Sequence, residues 1–314
     1  MPALRFHSPV NDFSLKRGLA LTAATLQVIV SGPITTAEWG VRYSPNQQVD
    51  VVIVAHQDDW QVFMGDIVAK RIKEGDLATF IYLTAGDDGR DSLYWQTREL
   101  ASLQSTRVAA GSEQTTSVPA SCSRTQVRGH AIQQCVAANV KSYFLRLPDG
   151  KRDGVGFARQ NYQSLRKLRR RKIAAIAAVD GSTSYSGWED LTATVRELIE
   201  RGFTGGQITI HTTDPSIVAN PHDHFDHRMT GLLVVDLRKT RNWNARYYVG
   251  YALATRAPNR SADQAREKTA IFLAYDKEMM RVTERWSAYR EHPAFYSECM
   301  VRTYVRNAPV RQVR

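Results

Sequence analysis

Apolar residues occur in short, uninterrupted runs along the first third of the chain. Two runs rich in β-branched and aromatic residues, 51–55 and 79–83, are typical of strands that are buried on both faces of a sheet. The segment between them, Asp66–Gly75, places its apolar residues on one face of a predicted helix that ends at the glycine. Because a strand, a helix and a second strand follow one another so closely, the pattern predicts a βαβ unit and a parallel sheet.

The alternation of strands and helices continues towards the C-terminus. Residues 143–147 and 207–211 predict further strands, and residues 95–110 predict a helix. Two more helices are predicted by spacings typical of capping boxes, Ser186 with Glu189 and Ser261 with Gln264. We therefore predict an α/β fold with a single doubly wound, mostly parallel sheet flanked by helices.

Residues 38–314 are predicted to form this one α/β domain, with one interruption. The segment 111–134 is polar and rich in Ser and Thr, which predicts a surface insertion without regular structure. Cys122 and Cys135 lie in or beside this insertion and could form a disulfide bond in an exported protein, leaving Cys299 unpaired.

Residues 1–37 are predicted to be either a signal peptide or an N-terminal extension of the fold. Lys16 and Arg17 precede the mostly apolar stretch 19–30, and small residues follow it, which is the order found in secretory signals. On this basis we expect export, to the periplasm or the medium, with a cytoplasmic N-terminal element as the alternative. The stretch is too short to predict a transmembrane span.

The composition excludes some classes of protein and leaves the partner open. With 43% hydrophobic and 23% charged residues, the chain is neither disordered nor fibrous. The 42 Lys and Arg against 31 Asp and Glu give a net charge of +11, which favours an anionic partner. However, the densest basic run, 166–172, has no interleaved aromatic residues, so we predict a solvated helix face and no specific nucleic-acid partner.

Ionisable residues are concentrated directly after two of the predicted strands. His56, Asp58 and Asp59 follow the first strand, and His222–His227 follows the strand at 207–211. Ligands bind at the carboxyl ends of strands in open α/β sheets. A catalytic zinc takes three His or carboxylate ligands and keeps one position open. His56 and Asp59, three residues apart on a turn, could bind one ion together with a distant histidine, and Asp58 could act as a base.

Both clusters resemble the motifs of a known family. Residues 55–59 (AHQDD) resemble the AHPDD motif of the LmbE-like, or PIG-L, zinc-dependent N-acetylglucosaminyl deacetylases. Residues 224–228 (HFDHR), followed by Gly231, resemble the second motif of that family, HxDHRxxG. The resemblance also includes 83–87, 94–99 and 145–150, so it extends from about residue 50 to residue 251.

The resemblance implies a Rossmann-like deacetylase fold and a set of site residues. His56, Asp59 and His227 match the ligands of one Zn²⁺ per chain, Asp58 matches the general base, and His224 matches the histidine that assists the tetrahedral intermediate. The implied activity is removal of the N-acetyl group from an N-acetylglucosamine-containing sugar or glycoconjugate. The implied partner is therefore a small molecule or glycoconjugate.

The sequence departs from the family pattern at two positions. Gln57 replaces the usual proline, and Trp60 replaces the usual acidic residue after the second aspartate. Asp88 and Arg98 follow the second strand and could bind substrate at the mouth of the site, or serve turn and cap roles. His222 and Asp223 match no family role and are expected to be loop residues or outer partners of the ligands.

Several other functions fit parts of the pattern. Residues 222–227 also spell HxHxDH, the metal motif of metallo-β-lactamases, and two histidines with one carboxylate suit non-haem Fe(II) oxygenases. A metal-dependent amidase acting on another amide is a closer alternative. A non-catalytic basic module that binds glycans or nucleic acid is the non-enzymatic one.

Overall fold

A computed structural model describes residues 48–74, 78–111, 120–203 and 207–309. The strands in this part are β1 Gln48–Val54, β2 Ala78–Thr84, β3 Ser121–Val127, β4 His130–Ala137, β5 Val140–Leu147, β6 Ile176–Ala177, β7 Ser184–Tyr185, β8 Gln207–Thr213, β9 Asn244–Tyr248 and β10 Val305–Ala308. The helices are α1 Asp59–Lys73, α2 Ser92–Ala109, α3 Leu165–Arg169, α4 Gly187–Gly202, α5 Phe225–Thr240, α6 Ala262–Thr283, α7 Ala288–Glu291 and α8 Pro293–Met300. The predictions for residues 1–37 concern a segment outside the described residues.

The predicted parallel sheet is present, and β1 lies inside it. Among the described residues the main sheet has eight strands in the order β10-β9-β8-β1-β2-β5-β4-β3, and the five from β9 to β5 are parallel. Val51 and Ile53 of β1 enter one apolar cluster, and Val52 and Val54 enter another on the opposite face. Burial on both faces explains the uninterrupted apolar run. The predicted doubly wound α/β fold class is confirmed.

The order of the strands brings the two ionisable clusters together. From β1 the chain moves to β2 and β5 on one side, and later returns to β8 on the other side of β1. The loops after β1 and β8 therefore leave the same edge of the sheet from adjacent parallel strands, where the strand order reverses. This switch point is where open α/β sheets form a ligand-binding crevice.

The segment predicted as an irregular insertion contains a hairpin. From Ser121 it forms β3 and β4, which extend the sheet in antiparallel fashion beyond β5, so the prediction of an irregular loop is wrong for this part. β3 is an edge strand with mostly polar and partly exposed residues, so it lacks the apolar alternation by which a strand is recognised. Cys122 and Cys135 are directly opposed in the hairpin and form a disulfide bond, while Cys299 is buried and unpaired.

Two helix starts differ from the sequence prediction. Helix α1 begins at Asp59 instead of Asp66, because its first two turns are buried almost entirely and show no polar face. Ser186 does not cap α4 with its side chain, and Asp190 instead accepts the backbone N–H of Ser186. The capping box of Ser261 and Gln264 is confirmed at α6. None of the described helices is long and apolar enough to cross a membrane.

Helix α5, which carries His227, approaches β8 at a glycine. A Cβ atom at Gly231 would lie 2.4 Å from the carbonyl oxygen of Thr213 and 2.7 Å from Cδ of Pro215. Contacts this short with backbone and ring atoms require the helix to move. We expect Gly231→Ala to lower the free energy of unfolding by about 1–3 kcal/mol, the usual cost of overpacking, measured by denaturant titration. Gly202→Ala is the control because a Cβ there meets no atom within 4 Å. Equal stability of both variants would contradict the close packing.

Candidate metal centre and active site

Three buried side chains from the two ionisable clusters converge at the switch point. Nδ1 of His56 lies 3.1 Å from Nε2 of His227 and 3.5 Å from Oδ1 of Asp59. Nε2 of His227 lies 3.0 Å from the same carboxylate oxygen. Each side chain is at most 6% exposed. The structure thus brings together the three residues that the sequence analysis predicted as ligands.

The surrounding hydrogen bonds leave lone pairs directed into the middle of this triangle. Asp223 accepts from Nδ1 of His227 at 3.0 Å, which leaves Nε2 of that ring as the acceptor nitrogen. The backbone N–H of His56 donates to Oδ2 of Asp59 at 2.8 Å, so Oδ1 is free to face the two rings. Asp223 was expected to be either a loop residue or an outer partner of the ligands. Its hydrogen bond with His227 is that of an outer partner.

The triangle fits a divalent metal ion. A zinc ion bound tetrahedrally at about 2.0–2.1 Å separates its ligand atoms by about 3.3 Å. The three separations here are 3.0, 3.1 and 3.5 Å. Two imidazoles and one carboxylate are also the donor set of catalytic zinc sites.

A second acidic group lies on the other side of the His56 ring. Nε2 of His56 lies 3.5 Å from Asp149 and 3.6 Å from Asp226, and within the described residues it has no hydrogen bond of good geometry. His224 approaches the same two carboxylates. Together His56, Asp149, His224 and Asp226 form another group that could hold a metal.

The hydrogen bonds are compatible with the first group, which the family resemblance implies, as the metal centre. In the second group, Asp226 already accepts the N–H of Gly150 at 2.7 Å, and Nδ1 of His224 accepts the N–H of Asp226. Asp149 accepts the N–H of Lys151. If Nδ1 of His56 binds a metal, its Nε2 carries the proton and faces Asp149 and Asp226. These carboxylates would then orient the ring, as outer partners of metal ligands commonly do.

Asp149 and Asp226 were not predicted as functional residues, although both lie in quoted motifs. Asp149 follows β5 in the sequence LPDG, and Asp226 stands between the two histidines of HFDH. A signal was present in each case, namely a carboxylate at the carboxyl end of a parallel strand or at the start of the following helix. Only the fold shows that both face His56.

The electrostatics of the cluster are strongly perturbed. Burial disfavours charge on His227, but Asp59 and Asp223 outweigh it and raise the pKa of His227 to about 10. Burial and the neighbouring His56 lower the pKa of His224 to about 4. Burial acts against ionisation of Asp59, yet His227 and His56 hold its pKa well below the usual range. Groups with such shifts in a cleft are typical of functional sites.

Asp58 lies beside the triangle without belonging to it. Its Oδ1 accepts from Nη2 of Arg98 at 2.5 Å, and Nε of Arg98 also donates to Gln57 at 3.2 Å. Gln57 is fixed in turn by donating to the carbonyl of Thr84 at 2.9 Å. The residue that replaces the family proline therefore helps to hold Arg98 against Asp58.

These groups open into a cavity of about 720 Å³. His56, Asp58, His224, Asp88 and Arg98 line it, so both residues predicted to bind substrate lie on its wall. Asp88 is exposed and pairs with Arg90 at 3.2 Å. Trp60 is fully buried against Phe80 and does not reach the cavity, so its position supplies no polar group to the site.

Another part of the cavity wall comes from the C-terminal part of the chain. It is rich in aromatic side chains: Tyr251, Tyr275, Trp286, Phe295 and Tyr296. The sequence does not indicate this wall. Its residues lie on α6, α7, α8 and the turns beside them, which come together only in the folded chain. His222 is exposed and belongs to neither metal-capable group of the described residues, which removes the basis for the HxHxDH interpretation.

The match to a known family agrees with this arrangement. Residues 51–237 match the family described as "PIG-L: GlcNAc-PI de-N-acetylase", which is more than half of the chain. The chain belongs to the PIG-L family. The predicted family and the predicted class of enzyme, a metal-dependent N-deacetylase, are confirmed. No curated protein matches the chain.

Solved structures similar to this PIG-L protein include two deacetylases. N,N'-diacetylchitobiose deacetylase from Pyrococcus horikoshii is 16% identical, with a TM-score of 0.44 and coverage of 83% of this chain and 84% of its own. A deacetylase of the teicoplanin biosynthesis pathway is 13% identical, with a TM-score of 0.43 and coverage of 78% and 93%. GalB, the 4-carboxy-2-hydroxymuconate hydratase from Pseudomonas putida KT2440, is 12% identical, with a TM-score of 0.39 and coverage of 85% and 99%. At these values the family assignment rests on the sequence match alone.

Proposed function

We propose that this protein is a zinc-dependent hydrolase that removes the N-acetyl group from an N-acetylglucosamine-containing sugar or glycoconjugate. The observation that carries the proposal is the buried triangle of His56, Asp59 and His227, with Asp58 beside it, in a chain of the PIG-L family. His56 and Asp58 both line the cavity. A binding module would need neither a metal-ligand triangle nor a carboxylate beside it.

His56, Asp59 and His227 would hold the metal. When bound, the ion supplies a Lewis acid that acidifies a water molecule and polarises a carbonyl oxygen. Asp223 fixes the tautomer of His227, and Asp149 with Asp226 faces the outer nitrogen of His56. These carboxylates keep the ligand rings in position and raise their basicity.

Asp58 is proposed as the general base. It accepts a proton from the water that attacks the acetamide carbon, and it returns this proton to the nitrogen as the carbon–nitrogen bond breaks. The products are acetate and the free amino sugar, so one water is consumed for each amide. Arg98 is a positioning residue, because its guanidinium fixes one oxygen of Asp58 and leaves the other to meet the water.

His224 is proposed to donate a hydrogen bond to the oxyanion that forms on the amide oxygen. Its Nδ1 accepts the N–H of Asp226 at 3.1 Å, so the ring proton lies on Nε2, and His224 lines the cavity. The low pKa of this ring agrees with a neutral imidazole. The family resemblance implied assistance by this histidine, and the neutral form can supply it because Nε2 is a donor in either protonation state.

The shape of the cavity supports a sugar substrate. An acetamide group alone occupies a small part of 720 Å³, and the remaining space lies between aromatic faces and charged groups such as Asp88 and Arg90. Sugar rings offer apolar C–H faces and a polar edge of hydroxyl groups, which suits such a mixed wall.

An assay of acetate release from a panel of N-acetylated compounds tests the proposal. The metal-loaded protein should release acetate and free amine in equal amounts from compounds that contain N-acetylglucosamine. N-acetylated amino acids serve as the control for a general amidase. Release from these alone would assign another amide as the substrate. No release from any compound by protein with a full metal complement would contradict the proposal.

A further inference from the structure

Most of the net charge of the protein lies in one segment beside the cavity. Residues 151–172, here called the basic segment, contain nine Lys and Arg and a single acid, Asp153, a net +8 of the total +11. The segment follows β5 and leaves the edge of the sheet where the site lies. Lys151 and Arg152 at its start line the cavity.

Most of these cations have no acidic partner. Among the described residues, only Arg169 and Arg171 of the basic segment lie within ion-pair distance of a carboxylate. Arg159, Arg170 and Lys172 are exposed and have no side-chain hydrogen bond in the described structure. These exposed bases agree with the solvated surface predicted from the sequence, and with a single acid among them that surface is strongly positive.

Exposed apolar side chains lie on the same edge. Tyr162 within the basic segment is 54% exposed, and Ile217 and Val218 on the loop after β8 are 62% and 88% exposed. We call Ile217 and Val218 the apolar tip. The two loops are joined, because Arg152 donates to the carbonyl of His222 at 3.0 Å and the N–H of Phe225 donates to the carbonyl of Arg152.

We infer that the basic segment and the apolar tip dock this edge of the protein onto an anionic lipid surface. Lys and Arg near such a surface are attracted to its headgroups, and protruding aliphatic side chains enter the boundary between headgroups and acyl chains. Nucleic acid is less suitable because its charged backbone and its bases offer no apolar phase for the aliphatic side chains of Ile217 and Val218. A second copy, which also carries +11, is repelled.

Co-sedimentation of the full-length protein with lipid vesicles tests the inference. Binding is expected to vesicles of phosphatidylcholine mixed with phosphatidylserine, and not to phosphatidylcholine alone. High salt should release the protein, since exposed charges are screened over about 10 Å at 0.1 M. This measurement needs no substrate, so it stands whether or not the proposed deacetylation is correct. Absence of binding to the anionic vesicles would overturn the inference.

Two sets of substitutions locate the surface. Arg159→Gln, Arg170→Gln and Lys172→Gln together should weaken vesicle binding roughly a hundredfold, given the attraction of each base to an anionic surface. The control variant combines Lys70→Gln, Lys73→Gln and Arg241→Gln, which removes the same charge from exposed positions at the opposite edge of the sheet. It should change vesicle binding by less than about threefold. If both triple variants lost vesicle binding equally, the vesicles would be attracted only by the net charge of the protein. The inferred docking surface would then be wrong.

The apolar tip distinguishes a membrane from other polyanions. Ile217→Ser with Val218→Ser keeps the net charge and should weaken vesicle binding about tenfold by removing the inserted aliphatic groups. Binding to a single-stranded oligonucleotide, measured in parallel, should not change. Unchanged vesicle binding in this variant, together with tight oligonucleotide binding, would assign the surface to nucleic acid instead. Acetate release from a soluble substrate should stay at the parent rate in all these variants.

Discussion

Asp58→Asn should lower kcat for acetate release by about 10²–10⁴-fold, the range expected for loss of a general base. The asparagine has the same shape and can still accept the hydrogen bond from Arg98, but it cannot take a proton from water. Asp58 lies outside the triangle of His56, Asp59 and His227, so the variant should keep its bound metal. Turnover and metal content, measured on the same preparation, check both halves of this prediction.

Asp88→Asn is the matched control for this experiment. Asp88 lines the same cavity, but 48% of its side chain is exposed and it forms an ion pair with Arg90. Its φ of 49° lies in the left-handed region, which asparagine tolerates. We expect a change in KM and a kcat within a few-fold of the parent. A fully metal-loaded Asp58→Asn enzyme with the activity of this control would show that Asp58 is not the base.

The parts of the site that the sequence predicted are those governed by local pattern and sheet topology. His56 and Asp59 follow the uninterrupted apolar strand β1, and His227 follows the neighbouring parallel strand β8, so the carboxyl ends of these strands bring them to one edge. The turn after β1 places two side chains three residues apart on the same side. These relations depend on few residues, and they hold in the structure.

The parts that the sequence did not predict depend on contacts between distant segments. Arg98 of α2 pairs with Asp58 in the loop after β1. The spacing of these two residues along the sequence gives no sign that they form an ion pair. The hairpin of β3 and β4 has a polar edge strand without clear alternation. The aromatic wall is formed by residues scattered between positions 251 and 296, and an aromatic residue in a helix is more commonly part of the core.

The second large effect concerns the metal itself. Treatment with a strong chelator should abolish acetate release, and addition of Zn²⁺ should restore it, because the proposed reaction needs a Lewis acid at the triangle. His227→Ala removes one of three ligands and should abolish both metal binding and activity. Metal content by mass spectrometry and acetate release are the two measurements. Full activity of a metal-free preparation would contradict the proposed function. If another divalent ion restored acetate release better than Zn²⁺, that ion would be assigned as the cofactor instead.

A graded variant tests whether the triangle, and not the neighbouring acidic group, holds the ion. Asp223 accepts from Nδ1 of His227, and it also accepts the backbone N–H groups of His224 and Tyr251, which the side-chain oxygen of an asparagine can keep. Asp223→Asn should therefore weaken metal affinity by about 10–100-fold through His227. His222→Asn is the control, because this neighbouring side chain is exposed and its φ of 58° suits asparagine. If the ion were held by His56, Asp149, His224 and Asp226, both variants would bind it as tightly as the parent. A loss confined to Asp223→Asn requires His227 among the ligands, because its Nε2 faces Asp59 and the inner nitrogen of His56.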